Sequence, residues 1–285
     1  MRGLPKRIDD ALHSLDRRYL RRRLWLWRAA DWKTFRRVDA MTNRGILIGG
    51  CGRSGTTVLN GLLSCHPEVQ VVDIETSAFC QTAYRGDLDL ESEFKLERVF
   101  RRLIRIDIPP TCSRWAEKTP KNVLFAARAL DYLGPGARFV HIVRDGRDVV
   151  TSRHRRAPDR YWVPPQRWVM DVEAGRALEG HPRVTTVRYE DLMSDLEGQL
   201  RRLCGFLDLP FDNRMLGYPE TARVPHSEGW VPRLRPISTD SVGRWRAPEH
   251  QEAVEALLSE PGAESLMRHY GYLDPVPEAQ DPAPS

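Results

Sequence analysis

The stretch "GILIGGCGRSGTTVLNGLLSCH" (residues 45–66) decides the fold. It opens on a short apolar run that stops at glycine, the pattern of a buried strand, and it closes on a run with helical spacing. The turn between them, Gly50 to Thr57, reads as glycine, four residues, Gly55, Thr56 and Thr57. That is the spacing of a phosphate-binding loop, except that a triphosphate-binding loop carries Lys where this chain has Thr56. A strand that enters a glycine loop and then a helix start turns backbone N–H groups toward a bound anion, and the helix dipole adds favourable potential. Gly50, Gly52 and Gly55 allow the tight turns and the close approach. Ser54 lies inside the loop, and Thr56 and Thr57 offer hydroxyl donors at the helix start. Arg53 is the only charge in the loop and can grip an oxyanion bidentately with no metal. The loop is therefore expected to hold a phosphate-like group without Mg²⁺. Taken alone, it also reads as a plain strand-to-helix turn.

Working outward, "VQVV" (69–72), "ARFVHIV" (137–143) and "RVTTVRYE" (183–190) read as further strands. Residues 92–104, 119–133, 145–155 and 192–209 read as helices, the second starting with a Thr cap and a Pro at its first position. Residues 247–270 read as one or two closing helices. Strands alternating with helices predict an α/β, three-layer fold with a central parallel sheet flanked by helices. Residues 44–272 form the expected main domain. Residues 1–43 form a basic amphipathic helical segment, and 273–285 a Pro-rich, disordered tail. Residues 210–241, rich in Pro, Gly and Ser, read as a loop or lid, with Trp230 as its candidate contact residue.

The 285-residue chain has a net charge of +5, carried almost wholly by Arg, because only five Lys occur, at 6, 33, 95, 118 and 121. Arginines interspersed with acids and the lack of a recognition motif argue against nucleic acid as a partner. Five scattered Cys form no pair or cluster with metal-ligand spacing, so neither a disulfide framework nor a structural metal is expected, and a reducing, cytoplasmic setting fits best. No stretch approaches the roughly 20 apolar residues of a membrane span. The stretch "RRYLRRRLWLWRAADWKTFRR" (17–37) places Leu20, Leu24, Trp27 and Ala30 at helical spacing. A helix packed on the domain with solvated arginines is the favoured reading, and peripheral contact of 17–37 with an anionic membrane surface is the alternative.

Three further motifs follow strands. "IVRDGRDVVTSRHR" (142–155) sets Arg144 at a strand end and Ser152 about two helical turns on, where both can face one ligand. "VRYEDL" (187–192) follows the next strand. "VGRWR" (242–246) adds Arg and an aromatic after the loop. Together with "AEKTPKN" (116–122) and the opening stretch, these motifs resemble, in order from about 45 to 270, the sulfotransferases that use 3′-phosphoadenosine 5′-phosphosulfate (PAPS). The R-S-G-T-T loop is nearer to the bacterial and tyrosylprotein-type branch than to the cytosolic branch, whose loop has K-S-G-T-T. The resemblance implies that residues 52–57 hold the 5′-phosphosulfate and that Arg144 and Ser152 contact the 3′-phosphate. It also places Tyr189 beside the adenine and makes Arg244 a second 3′-phosphate ligand. The R-K-G signature of the cytosolic branch is absent, as is its K-T-H motif, since Thr119 and Pro120 stand in that place.

Sulfuryl transfer needs an acceptor in line with the leaving phosphate, a base, and positive charge on the departing oxygens. A sulfuryl group carries less charge than a phosphoryl group, so no metal is expected. The candidate base is Glu75 in "VVDIETSAF", because tyrosylprotein-type enzymes use a Glu after this strand; Asp73 is its rival. Lys118 is the candidate cation for the leaving group, with a surface pairing to Glu117 as the bland reading. Arg53 completes the catalytic set. His141, inside a buried strand, reads as a core residue rather than a base. Tyr161, Trp162 and Trp168 read either as lining for an acceptor site or as packing. The expected activity is transfer to a hydroxyl of a carbohydrate, lipid, peptide or natural product. The alternatives are a nucleotide kinase, opposed by Thr56 and by the absence of a Mg²⁺ carboxylate after the loop, and a non-catalytic nucleotide-binding module.

Overall fold

The computed structural model describes residues 32–80, 92–154, 157–224 and 236–274. Its centre is a parallel sheet of five strands: β1 (Gly45–Gly49), β2 (Val69–Val71), β3 (Arg114–Lys118), β4 (Arg138–Val143) and β7 (Val184–Arg188). Their spatial order is β2-β3-β1-β4-β7. Every pairing in it is parallel, with Ile48 opposite Lys118 on one side and Val140 on the other. Alternate side chains feed opposite layers, as a strand's period of two dictates. Ile46, Ile48, Val140 and Ile142 enter one apolar core. That core is closed by α2 (Thr56–Cys65), α7 (Tyr189–Ser194) and α8 (Leu196–Phe206). Leu47 and Phe139 enter the opposite core, under α1 (Trp32–Met41), α3 (Glu97–Leu103) and α4 (Ala126–Leu133). A third cluster joins Val143 to α5 (Gly146–Val150), α6 (Pro165–Arg176), α9 (Gln251–Leu258) and α10 (Ala263–His269). This is the expected three-layer α/β architecture.

The strand at β3, one of the two neighbours of the central β1, is absent from the sequence reading. "RWAEK" does not look like a buried strand because it carries Arg114 and Glu117, yet these are 2% and 0% exposed. Arg114 is neutralised from far away in the chain, and Glu117 is satisfied by Thr76, 41 positions back, together with Thr119 and Asn122 close by. The Arg114 guanidinium donates to the Gly136 carbonyl at 2.9 Å and to Asp208 at 3.0 Å. Trp115 stacks parallel to Phe79 at 6.5 Å between ring centroids.

Other boundaries differ as well. The helix expected over 119–133 is a 3₁₀ turn, Pro120–Phe125, followed by α4. The helix expected over 145–155 stops at Val150; the chain then forms a small antiparallel hairpin, β5 (Arg153–His154) with β6 (Ala157–Tyr161). Tyr189 starts a helix rather than ending a strand. The helix expected over 192–209 is broken at Asp195, whose carboxylate accepts from the Gly198 N–H at 3.1 Å and so caps α8.

Of the basic N-terminal segment, α1 is described, and it buries Val38 and Met41 against the second core while Arg36 faces solvent. Residues 17–31, Trp230 and the tail from 275 lie outside the described residues. Among the described residues, no helix is long and apolar enough to cross a membrane. Nor, among them, is any group of three or more His, Cys, Asp or Glu placed to hold a metal ion.

Candidate active site

The loop after β1 is pinned at both ends by backbone bonds. Gly50 N–H donates to the Pro120 carbonyl at 3.0 Å, and Leu59 N–H to the Gly55 carbonyl at 3.0 Å. Three residues in it take positive φ, Gly50 at 150°, Arg53 at 74° and Gly55 at 95°. Glycine is required at 55 for a second reason: a Cβ there would lie 2.4 Å from the Tyr189 ring. Gly55 caps α2 without any side-chain hydrogen bond, which leaves the helix start to a ligand. Ser54 is fully buried, and its hydroxyl has no hydrogen-bond partner. Thr56 is buried and Thr57 half-buried at the first turn. Gly52 has open space above it, its nearest neighbour being the Trp162 indole, 3.9 Å from where a Cβ would stand.

Arg144, at the end of β4, is 8% exposed and bridges the loop to the 238–246 segment. It donates to the Arg53 carbonyl at 3.1 Å and to the Ser241 carbonyl, and it stands 3.6 Å from Asp148. Its guanidinium lies 4.6 Å over the Tyr189 ring, and the Tyr189 hydroxyl bonds Ser241 at 2.7 Å. Its Nε is buried and unpartnered. Desolvation, and then repulsion from Arg144, lower the Arg53 pKa from its ordinary value even though much of the side chain meets solvent. Two guanidiniums thus converge on a loop whose Ser54 hydroxyl is unpartnered and whose helix start is uncapped, an arrangement that an anion relieves.

Sequence reading brought Ser152 and Arg244 to the same place, and the structure separates their contacts. The Ser152 hydroxyl donates to the Asp148 carbonyl at 2.8 Å, within its own turn. Arg244 is exposed, and its Nε donates to the Asp240 carbonyl at 2.7 Å. What holds the 242–246 segment is Asp148, which sequence reading missed. Its carboxylate accepts from Gly243 N–H at 2.8 Å and Trp245 N–H at 3.1 Å. A carboxylate inside the otherwise apolar turn "DVV" is the signal that could have found it. Tyr189 is walled in, at 7% exposure, by Gly55 and Arg144.

On the other side of the loop, Glu75 and Lys118 meet at 2.6 Å, Glu75 being the more exposed partner. Lys118 does not pair with Glu117 as the bland reading had it. The rival carboxylate, Asp73, is taken by Arg102, whose Nε donates to it at 3.0 Å and whose Nη2 takes its second oxygen. Trp168 is wholly buried and donates to the Arg144 carbonyl at 3.2 Å, so it is a packing residue. Trp162 remains 53% exposed and Tyr161 38%. His141 is fully buried, and burial pushes its pKa down to about 4, in keeping with a core residue.

A model of the sulfotransferase family matches residues 45–213, more than half of the chain and every element of the site up to Tyr189. The chain belongs to the sulfotransferase family. Among curated relatives it is 26% identical to protein-tyrosine sulfotransferase A of Caenorhabditis elegans, over 81% of this chain and 68% of that one. It is 25% identical to the Drosophila melanogaster protein-tyrosine sulfotransferase, over 81% of this chain but 52% of that one. This sulfotransferase-family chain therefore spans between about half and two thirds of the length of such relatives. Among solved structures, the sulfotransferase domain of the Synechococcus PCC 7002 olefin synthase superposes with a TM-score of 0.55 at 19% identity, covering 81% of this chain and 95% of that domain. That likeness shows the fold.

Proposed function

We propose that this protein transfers a sulfuryl group from PAPS to an acceptor hydroxyl, with residues 52–57 on the phosphosulfate, Glu75 as base and Lys118 on the leaving oxygens. The observation that carries the reading is the Glu75–Lys118 pair, set at the C-terminal end of β3 beside a loop onto which Arg53 and Arg144 converge. In an open parallel sheet this edge is where ligands are handled. The residues suit the donor: the Ser54 hydroxyl and the Arg144 Nε are buried donors without partners, and the start of α2 is uncapped. Bound there, PAPS supplies an electrophilic sulfur attached to a phosphate leaving group.

Each residue then has one task. Arg53 and the loop N–H groups hold the sulfonate oxygens and neutralise charge that grows on them. Lys118 offsets charge on the departing phosphate. Glu75, half in solvent, accepts the acceptor's hydroxyl proton. Asp73 is unsuited to that task because Arg102 occupies both its oxygens. Arg144 meets the 3′-phosphate; Ser152 and Arg244 join it only by turning from their present partners, and Tyr189 lies beside the adenine.

The acceptor class follows the relatives' names, which specify protein tyrosine and, for a Mycobacterium bovis relative 30% identical over 54% of this chain and 40% of its own, an ω-hydroxyl of a dihydromenaquinone. Incubation of the protein with sulfur-labelled PAPS and a panel of phenolic peptides, hydroxylated quinones, sterols and sugars tests the reading. Label is expected in a hydroxyl product with wild type and lost with Glu75→Gln and Lys118→Ala. Full turnover in both variants overturns the assignment of base and cation.

A further inference from the structure

Glu117 is next to Lys118 in sequence, and its carboxylate bonds the residues that follow each of the two proposed catalytic groups. It is 0% exposed, at the end of β3, and every bond drawn for its carboxylate goes to the loops that carry the site. One oxygen accepts from the Thr76 N–H at 3.0 Å, the Thr76 hydroxyl at 2.9 Å and the Thr119 hydroxyl at 2.6 Å. The other accepts from the Asn122 amide at 2.7 Å. Thr76 follows Glu75, and Thr119 follows Lys118. The ties continue outward: Ala78 N–H donates to the Thr76 hydroxyl at 3.2 Å, and the Asn122 amide also reaches the Ile48 carbonyl, on the strand that feeds the anion loop.

A buried ionised carboxylate is costly unless all its lone pairs are used, and an apolar residue would fill the same space at lower cost. What the Glu117 carboxylate satisfies here is four donors, three side-chain groups and the Thr76 N–H, on the turn after β2, the turn after β3 and the 3₁₀ turn beside β1. None of these donors is a cation. A carboxylate has the acceptor capacity for all of them at once, which a neutral amide lacks.

We infer that Glu117 is a positioning residue, the common anchor that fixes the spacing of Glu75 and Lys118 and holds both against the anion loop. The inference rests on the roles proposed above for that pair. Misplacement of reacting groups by about 1 Å costs about 10²-fold in rate, so small losses of this anchor are expected to register in turnover before they register in donor binding.

Glu117→Gln keeps the shape but opposes an N–H to one of the four donors. With an acceptor found in the panel, its kcat is expected to fall about 10²-fold, while the Kd for adenosine 3′,5′-bisphosphate stays within about threefold of wild type. Thr119→Val is expected to lose about tenfold in kcat and Thr119→Ser to restore it, because the hydroxyl alone carries the bond. Amide hydrogen exchange gives a readout that needs no acceptor: Thr76 and Ala78 lose protection in Glu117→Gln, while β1 and β4 keep theirs. Loss of protection throughout the sheet, a parallel fall in bisphosphate affinity, or kcat within threefold of wild type would each overturn the inference. Failure of Glu75 as base leaves the exchange result untouched, so the two failures are distinguishable.

Discussion

Arg53 joins an unfavourable backbone to an unfavourable charge. Its φ of 74° lies in the left-handed region that non-glycine residues avoid, and its guanidinium is opposed by Arg144. Such a cost is stored where a ligand recovers it. Arg53→Ala is expected to lower kcat about 10²-fold, the cost of removing one transition-state donor, as steady-state kinetics would read. A change under about threefold would leave the backbone N–H groups as the sole holders of the sulfonate. Glu75→Gln is expected to lower kcat by about 10²–10⁴ with bisphosphate affinity unchanged, since only proton transfer is removed. Equal losses in binding and turnover would make Glu75 a structural partner of Lys118 instead.

At the scale of elements, the loop and the helix after it work only if Tyr189 can lie against a residue with no side chain. Gly55→Ala meets that ring at 2.4 Å and adds left-handed strain. It is expected to cost about 1–3 kcal/mol in urea unfolding and to weaken bisphosphate binding in calorimetry. Wild-type stability and binding would mean that the loop rearranges freely. This loop was legible in the sequence because its signals are local: an apolar strand, glycines at fixed spacing, a helix start. The same is true of β1 and β4, whereas the bond from Arg144 to the Arg53 carbonyl, across 91 residues, was not foreseen. The strand β3 was not legible, because Arg114 and Glu117 are satisfied by residues up to 94 positions away. Asp148 was missed for the same reason: its partners at 243 and 245 lie 95 and 97 residues on. The Glu75–Lys118 pair was foreseen as two separate roles, but their contact across 43 residues was not.

For the whole molecule, the sheet places β1 between β3 and β4, so the anion loop receives Lys118 from one neighbour and Arg144 from the other. The core behind it carries a pH liability. Burial holds the His141 pKa near 4, below its unfolded value, so the folded state resists protonation. Its contribution is unaffected above the unfolded pKa of about 6.5 and becomes destabilising as pH falls from there toward 4. Between pH 7.5 and 5 wild type is expected to lose about 2 kcal/mol more than His141→Leu, measured by urea unfolding. Equal losses would mean that His141 finds a proton acceptor in the fold.

The claim that organises all of this is that the loop binds a sulfonate-bearing adenosine nucleotide without metal. Calorimetric titration with adenosine 3′,5′-bisphosphate, set beside ATP with Mg²⁺, tests it most directly. The account predicts tight, metal-independent binding of the bisphosphate that is lost in Arg144→Ala, with ATP–Mg²⁺ bound weakly or not at all. Preference for ATP–Mg²⁺, or bisphosphate binding indifferent to Arg144, would contradict it.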